Sequence, residues 1–118
     1  AVIVAMAKLN VRDAIAAHVA WKVKLLQFLD GKGDALDAKK VACDDCCALG
    51  QWIYGDGAQL VADPAFQELK QKHAAFHRRA GMVVTGGAAR GRALLDATYD
   101  ALSSDVVAAL VHLKPKLG

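Results

Sequence analysis

Residues 63–83 have the sequence DPAFQELKQKHAAFHRRAGMV, and this stretch decides the fold of the chain. Asp63 suits an N-cap and Pro64 suits the first helical position, where its missing N–H has no intrahelical partner to lose. Apolar residues then recur every three or four positions, which is the period of a helix with one buried face. That stripe consists of Phe66, Leu69, His73, Phe76, Ala80 and Val83.

The same helical period continues on both sides of this stretch, and nowhere does the sequence show the alternation of a strand. Glycine-rich turns separate the periodic segments and are explained as helix ends. We therefore expect one all-α domain over residues 1–118, an antiparallel four-helix bundle with room for a short extra helix between the first two helices. The predicted helices cover about residues 10–30, 38–54, 63–86 and 88–113.

Composition and charge exclude several classes of function. The 118 residues are 55% hydrophobic, enough for a core without disulfides, and Glu68 is the only glutamate, which argues against a di-iron carboxylate bundle. The net charge is +3, and the paired arginines lack interleaved aromatic residues, so no nucleic-acid partner is expected. The apolar run from Ala1 to Ala7 is far shorter than the roughly 20 residues that span a bilayer, so we predict no signal peptide and no membrane insertion.

Histidines occupy positions where leucine would be expected. His18 lies on the apolar seam of the first predicted helix, which also carries Trp21, and His73 lies on that of the third. His77 follows His73 by four residues, so both rings share one face and can reach one metal ion. The Glu of the H-E-x-x-H motif is absent, which argues against zinc hydrolase chemistry. The simpler alternative is one core histidine bonded to a backbone carbonyl and one surface histidine.

Three cysteines fall within residues 43–47, which have the sequence CDDCC. An odd number so closely spaced cannot build a disulfide framework, and we expect a reducing cytoplasm. Cys43 and Cys46 form a C-x-x-C, but the next residue is Cys47 and not the histidine that attachment of a c-type haem requires. Helical periodicity leaves open whether Cys46 or Cys47 faces the core, and inert buried thiols remain an alternative.

Together, the histidines and one thiol provide four zinc ligands from three predicted helices. Three imidazoles and one thiolate form a closed tetrahedral set without a position for a catalytic water, so we expect a structural or sensing site and no enzyme. His112 lies off the seam of the fourth helix and is better explained as a partner of the helix dipole than as a ligand.

Four short pieces resemble the chemoreceptor zinc-binding domain, a cytoplasmic four-helix module of bacterial chemoreceptors and diguanylate cyclases. They are HVAWK at 18–22, CALGQW at 47–52, PAF at 64–66 and HAAFH at 73–77. The resemblance implies Zn²⁺ ligands at His18, Cys47, His73 and His77, and so selects Cys47. It also implies a regulatory domain that forms a homodimer, controls an attached output domain and responds to zinc or to oxidants such as hypochlorous acid.

The sequence also allows an alternative function, which is a purely structural zinc bundle that serves as a dimerisation module. With further cysteines at 43 and 46, one of them could replace Cys47 as the ligand or act as a second oxidisable thiol.

Groups around the predicted site should orient and shield it. Carboxylates or backbone carbonyls should orient the imidazoles, and two tryptophans, Trp21 and Trp52, should shield the site from water. The candidate carboxylates are Asp44, Asp45, Asp96 and Asp100.

Overall fold

The computed structural model describes residues 9–117, so the run from Ala1 to Ala7 lies outside the described residues. Within the described range the chain has five α-helices and no strand, which confirms the all-α prediction. None of these helices is both long enough and apolar enough to span a membrane. The helices are α1 (Val11–Leu29), α2 (Ala38–Ala42), α3 (Ala48–Tyr54), α4 (Pro64–Leu94) and α5 (Ala97–Leu113), with 3-10 helices at Asp56–Leu60 and Lys114–Leu117.

Helix α4 begins as predicted and turns at Gly87. The Asp63 side chain accepts a hydrogen bond from the backbone N–H of Ala65 at 2.8 Å and so caps the helix. Gly87 has φ 71° and ψ −166°, a conformation that is essentially confined to glycine. The Arg79 side chain donates to the carbonyl oxygen of Leu94 at 3.1 Å, so the segment after the turn lies against the segment before it. The first part of α4 therefore ends where the sequence predicted, near Gly86-Gly87, and a second part continues beyond the kink to Leu94.

The prediction of one continuous helix over about residues 88–113 is wrong. The helix is interrupted at Leu95 and Asp96, and α5 begins at Ala97. The Asp96 side chain accepts a hydrogen bond from the Tyr99 N–H at 3.1 Å, while its backbone is extended. An N-cap of this kind competes with helix continuation, and the apolar stripe alone does not reveal it.

The second predicted helix is also interrupted. Residues 43–47 separate α2 from α3, and this break produces the additional helix, whereas residues 31–37, where an extra helix was expected, contain none. A Cβ atom at Gly50 would lie 1.9 Å from the carbonyl oxygen of Asp44. Glycine therefore allows the turn to pack directly on the first turn of α3.

Helix α4 is central to the packing, because it contacts α1, α2 and α5, while α1 also contacts α5. Lys72 on α4 pairs with Asp105 on α5 at 3.6 Å, and Arg79 pairs with Asp96 at 2.8 Å. Residue numbers therefore rise along α4 as they fall along α5, so these two helices run in opposite directions. The most deeply buried side chains include Leu25, Ile53, Phe66, Leu69, Phe76, Val83, Tyr99, Leu110 and Leu113, together with His18, His73 and His77.

Candidate metal centre

Four side chains that the sequence predicted as ligands meet in one cluster. His18 lies on α1, Cys47 at the start of α3, and His73 and His77 on α4. Each offers a donor atom, and the four atoms lie within 4.8 Å of one another. Cys47 Sγ is 3.2 Å from His73 Nε2 and 3.6 Å from His77 Nε2, and the two Nε2 atoms are 3.1 Å apart. Donor atoms converge in this way around a tetrahedral metal ion.

The cluster lacks partners for some of its buried nitrogens. His18, His73 and His77 are 2%, 0% and 1% exposed. Among the described residues, His18 Nε2 and His73 Nδ1 have no hydrogen-bond partner. A buried polar atom without a partner is costly, and a metal ion would satisfy the His18 Nε2 lone pair. The residues present therefore fit a metal ion.

Two backbone carbonyls orient the imidazole rings. His18 Nδ1 lies 3.0 Å from the carbonyl oxygen of Ala14, and His77 Nδ1 lies 2.7 Å from that of Val41. Since a carbonyl only accepts, both Nδ1 atoms carry the proton, and both Nε2 atoms present lone pairs to the cluster. Backbone carbonyls thus hold the rings in the tautomer that binds metal.

The carboxylates considered from the sequence have other partners. Asp44 accepts a hydrogen bond from the Tyr54 hydroxyl at 2.5 Å, Asp96 caps α5 and pairs with Arg79, and Asp100 pairs with Lys22 at 2.7 Å. Asp45 lies against the sulfur atoms of the 43–46 turn. Of the two kinds of partner expected from the sequence, carboxylates and backbone carbonyls, the structure thus shows backbone carbonyls beside His18 and His77.

Burial sets the charge state of the cluster. It lowers the pKa of His73 to about 3, with neighbouring His77 and His18 acting in the same direction. Burial also lowers the pKa of His18 and of His77, so all three rings are neutral at pH 7, as metal binding requires. Burial raises the pKa of the Cys47 thiol, so that this group ionises at neutral pH only if a cation stabilises the thiolate.

Cys47 is held by its position as the N-cap of α3. Its backbone is extended, with φ −88° and ψ 166°, and its Sγ accepts a hydrogen bond from the Gly50 N–H at 3.3 Å. The backbone N–H stabilises a thiolate, and the close packing at Gly50 holds the cap in place. The C-x-L-G-x-W pattern thus has a structural basis, since its Cys and Gly form one cap.

Comparison with known families identifies the chain. A family model described as the chemoreceptor zinc-binding domain matches residues 18–84, more than half of the 118 residues. The chain belongs to this family. Comparison with curated proteins and with solved structures gave no significant match. The chain is thus a zinc-binding domain, and its four-residue His and Cys cluster is able to hold the metal ion.

A surface groove of about 540 Å³ leads to one side of this zinc-binding domain's cluster. Its lining includes His18 and Cys47 from the cluster and the two tryptophans, Trp21 and Trp52. The Trp21 ring lies 5.9 Å from the His77 ring, and the Trp52 ring packs on Phe66. Both tryptophans border the site as predicted, but they leave a path by which small solutes reach Cys47.

The remaining cysteines and the fourth histidine lie outside the cluster. Cys43 and Cys46 are joined in a disulfide, whereas Cys47 is a free thiol. The close spacing predicts no disulfide framework, but it does allow this local disulfide, because the turn between α2 and α3 brings the two sulfur atoms together. In the disulfide form neither can replace Cys47 as a thiolate ligand. His112 is exposed on α5, with Nδ1 3.4 Å from Glu68 Oε2.

Proposed function

We propose that this domain is a sensory or regulatory module of bacterial signal transduction, with His18, Cys47, His73 and His77 as its zinc ligands. The observation that supports this function best is the origin of the four donors, which come from three separate helices and converge within 4.8 Å. Bound zinc would supply a positive charge that keeps Cys47 ionised and links α1, α3 and α4. With four protein ligands no position remains for a catalytic water, so we assign no enzymatic role.

The proposed switch is the Cys47 ligand. Hypochlorous acid that enters through the groove would chlorinate the Cys47 thiolate with release of hydroxide, and water would then displace chloride and lose a proton to give a sulfenic acid. A sulfenic acid is a weaker ligand than a thiolate, so α3 would lose its bond to the histidine-bearing helices. Loss of zinc at low zinc levels would release α3 in the same way.

The proposed setting is an antiparallel four-helix bundle in the bacterial cytoplasm, joined to an output domain of the chemoreceptor or diguanylate cyclase type. The opposite directions of α4 and α5 support the bundle. A stripe on α1 supports a homodimer, because Val19, Val23 and Leu26 are 57%, 56% and 37% exposed at helical spacing. Light scattering should find a dimer, and Val23→Asp should shift it to monomer if this stripe is the interface.

Metal analysis of purified protein tests the ligand assignment. In protein whose Cys43–Cys46 disulfide is intact, we expect about one zinc per chain after exhaustive dialysis, and loss of that zinc in Cys47→Ala and in His73→Ala. His112→Ala is the matched control, because it removes an exposed histidine and should keep the metal. Full zinc retention in Cys47→Ala would refute the role of this thiol, and no zinc in the unaltered protein would refute the site.

Oxidation and chelation test the switch. One equivalent of hypochlorous acid per chain should release zinc and change the helical circular dichroism, and Cys43→Ser/Cys46→Ser should respond in the same way. A sensor should exchange its zinc with a chelator of moderate affinity, whereas a purely structural dimerisation bundle should retain it. Unchanged zinc and unchanged helicity in protein with oxidised Cys47 would disprove the switch.

A further inference from the structure

The turn between α2 and α3 brings together three donor groups outside the histidine cluster. Asp45 Oδ1 lies 2.7 Å from Cys43 Sγ and 3.7 Å from Cys46 Sγ, and the three donor atoms are all within 4.8 Å of one another. Asp45 and Cys46 are exposed, and Cys43 is partly buried. These groups therefore form a compact set that solvent reaches directly.

The Asp45 carboxylate lies beside two sulfur atoms with which it forms no hydrogen bond while they are joined in the disulfide. A disulfide sulfur carries no proton, so it has none to donate to the Asp45 oxygen. In the dithiol form the same three groups supply two thiolates and one carboxylate, and a cation among them would pair with all three. Such a donor set, with a C-x-x-C spacing, suits a thiophilic divalent ion such as Zn²⁺ or Co²⁺, with water completing the coordination.

We propose that Cys43, Asp45 and Cys46 form a second metal site in their dithiol state, and that the disulfide closes it. Opening requires two equivalents of a small thiol, which reduce the disulfide and become a disulfide themselves. Zinc then displaces the two thiol protons. An oxidant such as hypochlorous acid closes the emptied site: one thiol is converted to a sulfenyl chloride with loss of water, and the second thiol displaces chloride to form the disulfide.

The consequence is that the zinc capacity of the domain depends on its thiol redox state. In the reduced chain the exposed site would hold a second, exchangeable ion, whereas the buried cluster keeps its own ligands in both states. The proposal does not depend on the ligand role of His73, so the two sites can be tested separately.

Equilibrium dialysis of the full chain against buffered free zinc tests this proposal. We expect about two zinc ions per chain in the reduced protein, and about one in protein whose Cys43–Cys46 disulfide has been verified by mass spectrometry. Cys43→Ser/Cys46→Ser should hold about one in either condition, with unchanged helicity as the folding control. Equal zinc content in the reduced and the disulfide form of the unaltered protein would overturn the second site.

Cobalt substitution shows whether the additional ion is bound by thiolates. Because the inner cluster has one thiolate and the turn adds two, the sulfur-to-cobalt charge-transfer absorption per chain should rise about threefold on reduction. Asp45→Asn should weaken the added band, and reduced His73→Ala should retain it. Absence of the added band in reduced His73→Ala would contradict the second site. This holds whether or not the buried histidine cluster binds cobalt.

Discussion

The buried faces of α1 and α4 carry two kinds of side chain, which form two layers. The histidine layer consists of His18, His73 and His77, and the apolar layer includes Leu25 and Ala80. On α1, His18 and Leu25 lie seven residues apart and are 2% and 0% exposed, and on α4 the same spacing separates His73 from Ala80, both 0% exposed. Van der Waals contact satisfies Leu25 and Ala80 fully. The histidines are packed as tightly, yet His18 Nε2 and His73 Nδ1 lack partners within residues 9–117. The two layers are therefore equally buried but differ in chemistry, because the apolar side chains need no partner whereas the histidines bring together donor atoms that are able to hold a metal ion.

The largest expected effect comes from emptying the histidine layer. Removal of zinc by a strong chelator should lower the free energy of unfolding by roughly 4 kcal/mol or more, the linkage expected when metal exceeds its dissociation constant by about a thousandfold. Denaturant titration of the zinc-loaded and chelated protein measures the difference. Cys47→Ala should show no chelator effect, and identical midpoints for both states of the unaltered protein would show that the histidine layer is stable without metal.

A truncation in the apolar layer should act independently of the metal. Leu25→Ala removes a fully buried side chain and should destabilise both the zinc-loaded and the zinc-free protein by about 2–5 kcal/mol. Zinc content should stay at that of the unaltered protein, as measured by metal analysis of the folded variant. If Leu25→Ala released the zinc, the two layers would be coupled and the comparison would fail.

A fall in pH should lower the free energy of unfolding gradually, through the histidine layer and not through the apolar layer. In the zinc-free protein, burial holds the pKa of His73 near 3, whereas in the unfolded chain it has its ordinary value of 6.5. Below pH 6.5 the unfolded chain therefore binds protons that the folded chain does not, and stability falls as the pH falls. Each buried histidine contributes up to about 1.4 kcal/mol per pH unit.

Urea titrations of the zinc-free protein between about pH 7 and pH 5 measure this slope. The carboxyls whose pKa lies below the ordinary 3.8, such as Asp63 and Asp96, lose their contribution only at lower pH. Leu25→Ala should show the same slope as the unaltered protein, because it keeps all three histidines. A flat profile would mean that the histidines are protonated equally in both states.

The histidine layer was predictable from sequence because helical periodicity acts over short distances. His18 and His73 interrupt apolar stripes, and His77 follows at the spacing of one helical turn, so three members of the cluster could be identified without a structure. Cys47 could not be placed by periodicity, because it precedes α3 in extended backbone. Its assignment came from the C-x-L-G-x-W resemblance, and the Gly50 contact supplies the physical reason.

Other features depend on contacts between distant residues. The carbonyl of Val41 reaches His77 across 36 positions, and no local pattern records that pairing. The break at Asp96 had a local signal, because aspartate before a helical segment suits an N-cap, but the apolar stripe through residues 88–113 outweighed it. The Cys43–Cys46 pairing depends on a turn inside a segment that was predicted to be helical.

The smallest expected effect tests what an unpartnered buried atom signifies. The Tyr99 hydroxyl, on α5, also lacks a partner among the described residues, and its ring packs 5.6 Å from that of Phe76. Since no hydrogen bond is lost, Tyr99→Phe should change the free energy of unfolding by less than about 1 kcal/mol and leave zinc content unchanged. Denaturant unfolding and metal analysis measure both quantities, with His73→Ala as the contrasting variant. A loss of zinc affinity in Tyr99→Phe would place this hydroxyl in the histidine layer, because only a role in orienting the ligands would make its removal weaken metal binding.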